Sequence, residues 1–172
     1  FAAIRPDEAR KLRREDFIWR CEDDEPSTVI IEAATAKTSR RRSVELPENC
    51  VAWIKPYANE SGPLVPYRDE DHFRKVFDTV RARANFKIDP KHLKLLDPEL
   101  AKISYKKGRE KWIADGLRHT GITYRLEVVG EIGKVALWSG NSPTIIHDHY
   151  RDIVRGGRKQ VEEFYAILPA AA

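Results

Sequence analysis

Arg5, Lys37, Arg118 and Tyr150 are side chains of the types that together can break a phosphodiester bond. Arg118 and Tyr150 fall within one run, GLRHTGITYRLEVVGEIGKVALWSGNSPTIIHDHY from Gly116 to Tyr150, on successive segments of helical pattern. Arg5 and Lys37 lie far upstream at turn-like places. Cleavage through a covalent intermediate needs a nucleophile, cations facing the non-bridging oxygens, and an acid for the leaving 5′ oxygen. The planar fork of arginine donates two bonds to phosphate oxygens and keeps its charge. A lysine on a flexible hairpin suits the acid, provided the site lowers its pKa. The combination points to phosphoryl transfer on a nucleic-acid backbone by a tyrosine.

Taken singly, each residue has a plainer reading. An arginine before a helix-starting proline is most often a surface residue, and a lysine in a basic hairpin is most often solvated. Arg118 and His119, between Leu117 and Ile122, suit bridging helices or capping carbonyls. Tyr150 suits the edge of a core. His147, Asp148 and His149 invite a metal reading, but residues two apart on a helix diverge and no acidic cluster stands nearby, so no metal site is expected.

The elements that must position these groups are legible in outline. Pro6 followed by Asp7 and Glu8 starts a short helix through Leu12. Asp16 to Arg20 and Thr28 to Glu32 read as antiparallel strands about the polar turn Glu22 to Ser27, and Val44 and Leu46 suit a third strand. Between the second and third, AATAKTSRRR forms a polar hairpin end presenting Lys37. Pro47 to Tyr57 reads as a helix, and Asp69 to Asn85 as the clearest amphipathic one, its stripe of Phe73, Val76, Phe77 and Val80 expected in the core. Phe86 to Lys111, basic and broken by Pro90 and Pro98, reads as loops and short helices. From Leu117 onward the pattern is helical, with breaks near Gly130, at Gly140 to Pro143 and at Gly156 and Gly157, and a last helix from Arg158 to about Ile167. The fold class is therefore mainly α with a small three-stranded antiparallel β-sheet near the start.

Composition sets the outer limits. A chain of 172 residues suits one globular unit, and a net charge of +4 with a pI near 9.1 favours an anionic partner. Basic residues gather in Lys37 to Arg42 and in Arg81 to Lys111, against an acidic patch at Glu22 to Glu25. Cys21 and Cys50 make no disulfide framework, and a reducing cytoplasmic setting is expected. No apolar run is long enough to span a bilayer, so a soluble protein is expected. A chain without Met that opens on Phe1 reads as a piece of a longer polypeptide.

In order, the motifs AAIRPDEARKL, AKTSRRRSVELP, GLRHTGITY and WSGNSPTIIHDHY are similar to G-L-R-x-x-E, A-K-T-x-x-x-R-x-V-x-L-P, L-R-H-T and L-G-H-S-x-x-T-x-x-x-Y. Over essentially its whole length, residues 1–172, the chain resembles the catalytic domain of the tyrosine recombinase (phage integrase) family. The resemblance implies that fold, with an upstream DNA-binding domain outside this chain. It also implies that Arg5 and Arg118 clamp the phosphate, Lys37 is the general acid, and Tyr150 forms a 3′-phosphotyrosyl bond and releases a 5′ hydroxyl; His119 would give support. Asp115 stands where the family most often has histidine, and it could take the tyrosine proton or orient an arginine. Asn141 stands where histidine or tryptophan usually donates to the phosphate, a role its amide can keep. The implied function is site-specific cleavage and rejoining of duplex DNA by self-associated protomers in a synaptic multimer, with no cofactor, no metal and no small-molecule substrate. The alternatives are DNA relaxation of the type IB topoisomerase kind and a non-catalytic DNA-binding relative.

Overall fold

Alternation of apolar residues builds the sheet. Val29 and Ile31 point one way from their strand and are fully buried, as is Val44 on the next strand. The strands are β1 (Phe17–Ile18), β2 (Thr28–Ile31) and β3 (Arg42–Glu45), ordered β1-β2-β3 and antiparallel throughout. Val29 faces Phe17 on one side and Val44 on the other, and Ile31 faces Arg42. That register places Arg42 at the base of the loop carrying Lys37. The computed structural model describes residues 1–20, 25–37, 39–57, 61–65, 67, 69–99, 101, 110–150 and 157–170. Cys21, the first half of the expected turn at 22–27, residues 102–109 and Gly156 of the expected break lie outside the described residues.

Among the described residues the sheet is accompanied by the α-helices α1 (Pro6–Lys11), α2 (Glu48–Ile54), α3 (Glu70–Arg83), α4 (Gly116–Val129), α5 (Ile132–Ser139), α6 (Pro143–Tyr150) and α7 (Gly157–Tyr165). The mainly helical class with a small antiparallel sheet is thus as the patterning predicts. Among the described residues no helix is long and apolar enough to cross a membrane.

The described chain forms two compact units, one of residues 1–65 with 117–172 and one of residues 66–116. In the first, Val29, Ile31, Val44, Ile122, Val135, Ile146 and Tyr150 belong to one buried cluster. Ile146 and Tyr150 are four apart on α6 and so share its inner face. Trp138 Nε1 donates to the Glu45 carbonyl at 2.8 Å and pins α5 to β3. α4 meets the N-terminal segment at Gly121, where a Cβ would come within 3.2 Å of the Ala3 Cβ. α7 packs back on its own chain: Phe164 lies edge-on to Phe1 at 4.9 Å and to Tyr124 at 4.8 Å, and its carbonyl accepts from Asn49 Nδ2 at 3.1 Å.

The second unit corrects one expectation. Val76 and Val80 of α3 are 48% and 57% exposed, so the stripe of Phe73, Val76, Phe77 and Val80 is not a core face. The face that is buried carries Ala82, which packs with Ile88 and Leu96, because a small side chain lets the following segment close over the helix. Asp78 is buried on the same helix, with Arg81 and His92 each 3.1 Å from its carboxylate, so its charge is compensated. Phe73 and Phe77 are partly buried and stack on each other at 6.0 Å instead.

Candidate active site

The site grows from Arg5, held just before α1. Pro6 opens the helix, and Glu8 in its first turn reaches back: the Arg5 backbone N–H donates to Glu8 Oε2 at 3.2 Å and Arg5 Nη1 to Oε1 at 3.1 Å. This reciprocal pairing turns the rest of the Arg5 fork towards the end of α5. There Nη2 donates to the Gly140 carbonyl at 2.8 Å and to Asn141 Oδ1 at 3.2 Å.

Arg118, in the first turn of α4, reaches the same place from the core side and is buried. Its Nη1 donates to the Ala3 carbonyl, and its Nη2 to the Ser139 carbonyl at 2.7 Å and to Asn141 Oδ1 at 3.2 Å. Burial lowers the Arg118 pKa most, and the Arg5 charge lowers it further. Glu8 and the Tyr150 phenol oppose them, leaving it at about 10, so Arg118 stays a cation at neutral pH. Ala3, whose carbonyl takes part, has φ 51°, a left-handed conformation that suits the glycine of the G-L-R motif.

Asn141 therefore joins the two arginines. Both neighbours are pure donors, so the amide oxygen must face them and the amide nitrogen must face away. Tyr150, at the end of α6, is buried, stacks on the ring of His119 at 5.2 Å and 24°, and lies within electrostatic reach of Arg118. Lys37 stands at the exposed tip of the β2–β3 loop, its backbone N–H donating to Glu8 Oε1 at 3.3 Å. Asp115 belongs to the other unit, in an exposed turn with φ 55°.

The first unit thus brings Arg5, Arg118 and Asn141 into one hydrogen-bonded group with Tyr150 beside it, and ties the Lys37 backbone to the same group through Glu8. No family model matches the chain, and no curated protein or solved structure matches it. Among the described residues no group of three or more histidine, cysteine, aspartate or glutamate side chains could hold a metal ion. A cavity of about 510 Å³ in the same unit, between Glu45, Asn49, Arg125 and Tyr165, is lined by none of Arg5, Glu8, Lys37, Arg118, Asn141 and Tyr150.

Sequence reasoning passed over Glu8, Arg42 and Gly140 as site residues. Glu8 is fully buried, and Arg42 forks onto it at 2.6 and 3.2 Å. Burial disfavours the Glu8 carboxylate most, but the hydrogen bonds and charges of Arg42 and Arg5 outweigh it and hold the pKa at about 2. The signals were present, in the glutamate of R-x-x-E and the arginine that follows the hairpin lysine. Gly140 ends α5 with φ 67°, and a Cβ there would stand 2.9 Å from the Arg42 guanidinium carbon. Gly140→Ala is expected to cost about 1–2 kcal/mol through its backbone alone. Its thermal melt, followed by circular dichroism, should fall by roughly 2–8 °C; an unchanged melting temperature would show that the loop accommodates the methyl group.

Proposed function

We propose that this chain is the catalytic part of a tyrosine recombinase-type enzyme that cleaves and rejoins DNA strands through a covalent 3′-phosphotyrosine. The observation that carries the reading is the meeting of Arg5 and Arg118 at the Asn141 amide with Tyr150 alongside. The bonds described above account for three of the five side-chain N–H donors on each guanidinium, and the others would face the non-bridging oxygens of a phosphate. Asn141, its oxygen occupied, would offer its amide nitrogen to the same phosphate. The Tyr150 hydroxyl gives up its proton to water as its oxygen attacks phosphorus, the bond to the 5′ oxygen breaks, and Lys37 delivers the proton that completes the 5′ hydroxyl. The phosphotyrosyl bond conserves the energy of the phosphodiester, so rejoining needs neither metal nor nucleotide. Duplex DNA is the substrate, and recombination requires several protomers in one synaptic assembly. The mainly helical fold with its small antiparallel sheet supports the same family fold.

One observation favours a second reading, a non-catalytic DNA-binding relative: the acidic Asp115 stands where the motif has histidine, and an ionised carboxylate has no proton to donate to a phosphate oxygen. A nicked suicide duplex separates the two, because the 5′ fragment diffuses away and traps the adduct. A denaturant-resistant protein–DNA species is expected. Good duplex binding with no such species leaves the binding-only reading standing. Binding that shows no dependence on salt removes both.

A further inference from the structure

Three segments meet on the Glu8 carboxylate. Its Oε1 accepts from Arg5 Nη1 at 3.1 Å, from the Lys37 backbone N–H at 3.3 Å and from Arg42 Nη1 at 3.2 Å, and its Oε2 takes Arg42 Nη2 at 2.6 Å. Arg42 is the strongest of these anchors, with two parallel charge-assisted bonds and a side chain only 11% exposed. It is the first residue of β3, opposite Ile31, and so closes the base of the loop whose tip is Lys37. Its guanidinium also lies against Gly140, next to Asn141.

The geometry points to Arg42 as a positioning residue for the general-acid lysine: by forking onto Glu8 it fixes the Lys37 loop against the Arg5–Arg118–Asn141 group. The inference rests on the recombinase-type reading above. Arg42 itself faces Glu8 and Gly140, and its effect on the reaction passes through where Lys37 stands. A proton must reach the 5′ oxygen as the phosphorus–oxygen bond breaks, and the lysine can deliver it only if the loop is held in register with the clamp.

A substrate whose bridging 5′ oxygen is replaced by sulfur isolates this role. Tyr150 loses its proton to water and attacks phosphorus, the phosphorus–sulfur bond breaks with its electron pair on sulfur, and the thiolate departs without needing a proton. Covalent adduct formation is measured on the oxygen and sulfur substrates with wild-type protein, Arg42→Ala and Lys37→Ala. On the oxygen substrate Arg42→Ala is expected to be slowed about 100-fold, and on the sulfur substrate to return to within about threefold of wild type, as Lys37→Ala does. Should Arg42→Ala fail to fold, as judged by its thermal melt, Arg42→Lys carries the same comparison, since it keeps a cation beside Glu8 but loses the fork. An equal loss on both substrates, no loss on the oxygen substrate, or a Lys37→Ala defect that sulfur does not relieve overturns the assignment. Wild-type protein that forms adduct on neither substrate instead sinks the recombinase-type reading, and the role of Arg42 with it.

Discussion

Tyr150→Phe is expected to abolish the covalent DNA adduct, lowering its rate of formation by at least about 10⁴-fold, while leaving duplex binding unchanged. The substitution removes one oxygen from a ring that is 5% exposed and stacked on His119, and phenylalanine fills the same space. Losing a buried hydroxyl's hydrogen bond costs about 0.5–1.5 kcal/mol, too little to unfold a domain, so the loss is chemical. The proposed phosphate clamp is untouched, and affinity for DNA should hold because cations supply most of it. The check is the suicide duplex, with peptide mapping of any residual adduct. Adduct formation by Tyr150→Phe at the wild-type rate would move the nucleophile elsewhere. Tyr165 is then a poor substitute, since burial raises its pKa.

Glu8→Gln should be the most damaging single change to the fold at the site, and its effect should depend on pH. The folded pKa of about 2 lies below the ordinary carboxyl value of 4.5, so the native state prefers the ionised form. That preference contributes fully above about pH 4.5 and is lost as the pH falls through 2; it amounts to about 3 kcal/mol. At neutral pH the neutral amide leaves Arg5 and Arg42 facing one another without a counter-charge, and breaking a buried pair in this way costs roughly 3–5 kcal/mol. Urea unfolding of wild type and Glu8→Gln across pH 2 to 7 gives the test. The difference between the two should be largest at pH 7 and shrink towards pH 2. A difference that is flat with pH would mean that Glu8 acts by its shape rather than its charge.

The fold class was legible because both periodicities are strong where they matter. Val29, Ile31 and Val44 alternate, and Ile146 and Tyr150 repeat at helical spacing. α3 misled for the same reason that amphipathic helices usually inform: its apolar stripe is regular, but the contacts that bury a face are made through Ala82, which carries no hydrophobic signal of size. At the site, Arg5 and Arg118 could be named because their residue type advertises phosphate chemistry, and Asn141 only through its place in the motif resemblance. Their shared geometry could not, since it depends on carbonyls of Ala3, Ser139 and Gly140 that any residue could supply. Glu8 stayed hidden because a glutamate in the first turn of a helix has an ordinary explanation as a favourable dipole partner. Only its burial beneath two arginines distinguishes it.

The bonds between Arg118 and Ala3, and between Arg5 and Gly140, span 115 and 135 residues of sequence. Contacts so distant along the chain cannot form until nearly the whole polypeptide has closed on itself, and the loop-closure entropy falls due before they return anything. The arginine group is therefore expected to be among the last features assembled during folding and among the first lost on partial opening. A chain caught halfway would carry every one of these side chains and none of their arrangement. For a protein whose proposed chemistry breaks DNA, that timing keeps the cutting power out of reach until the fold is finished.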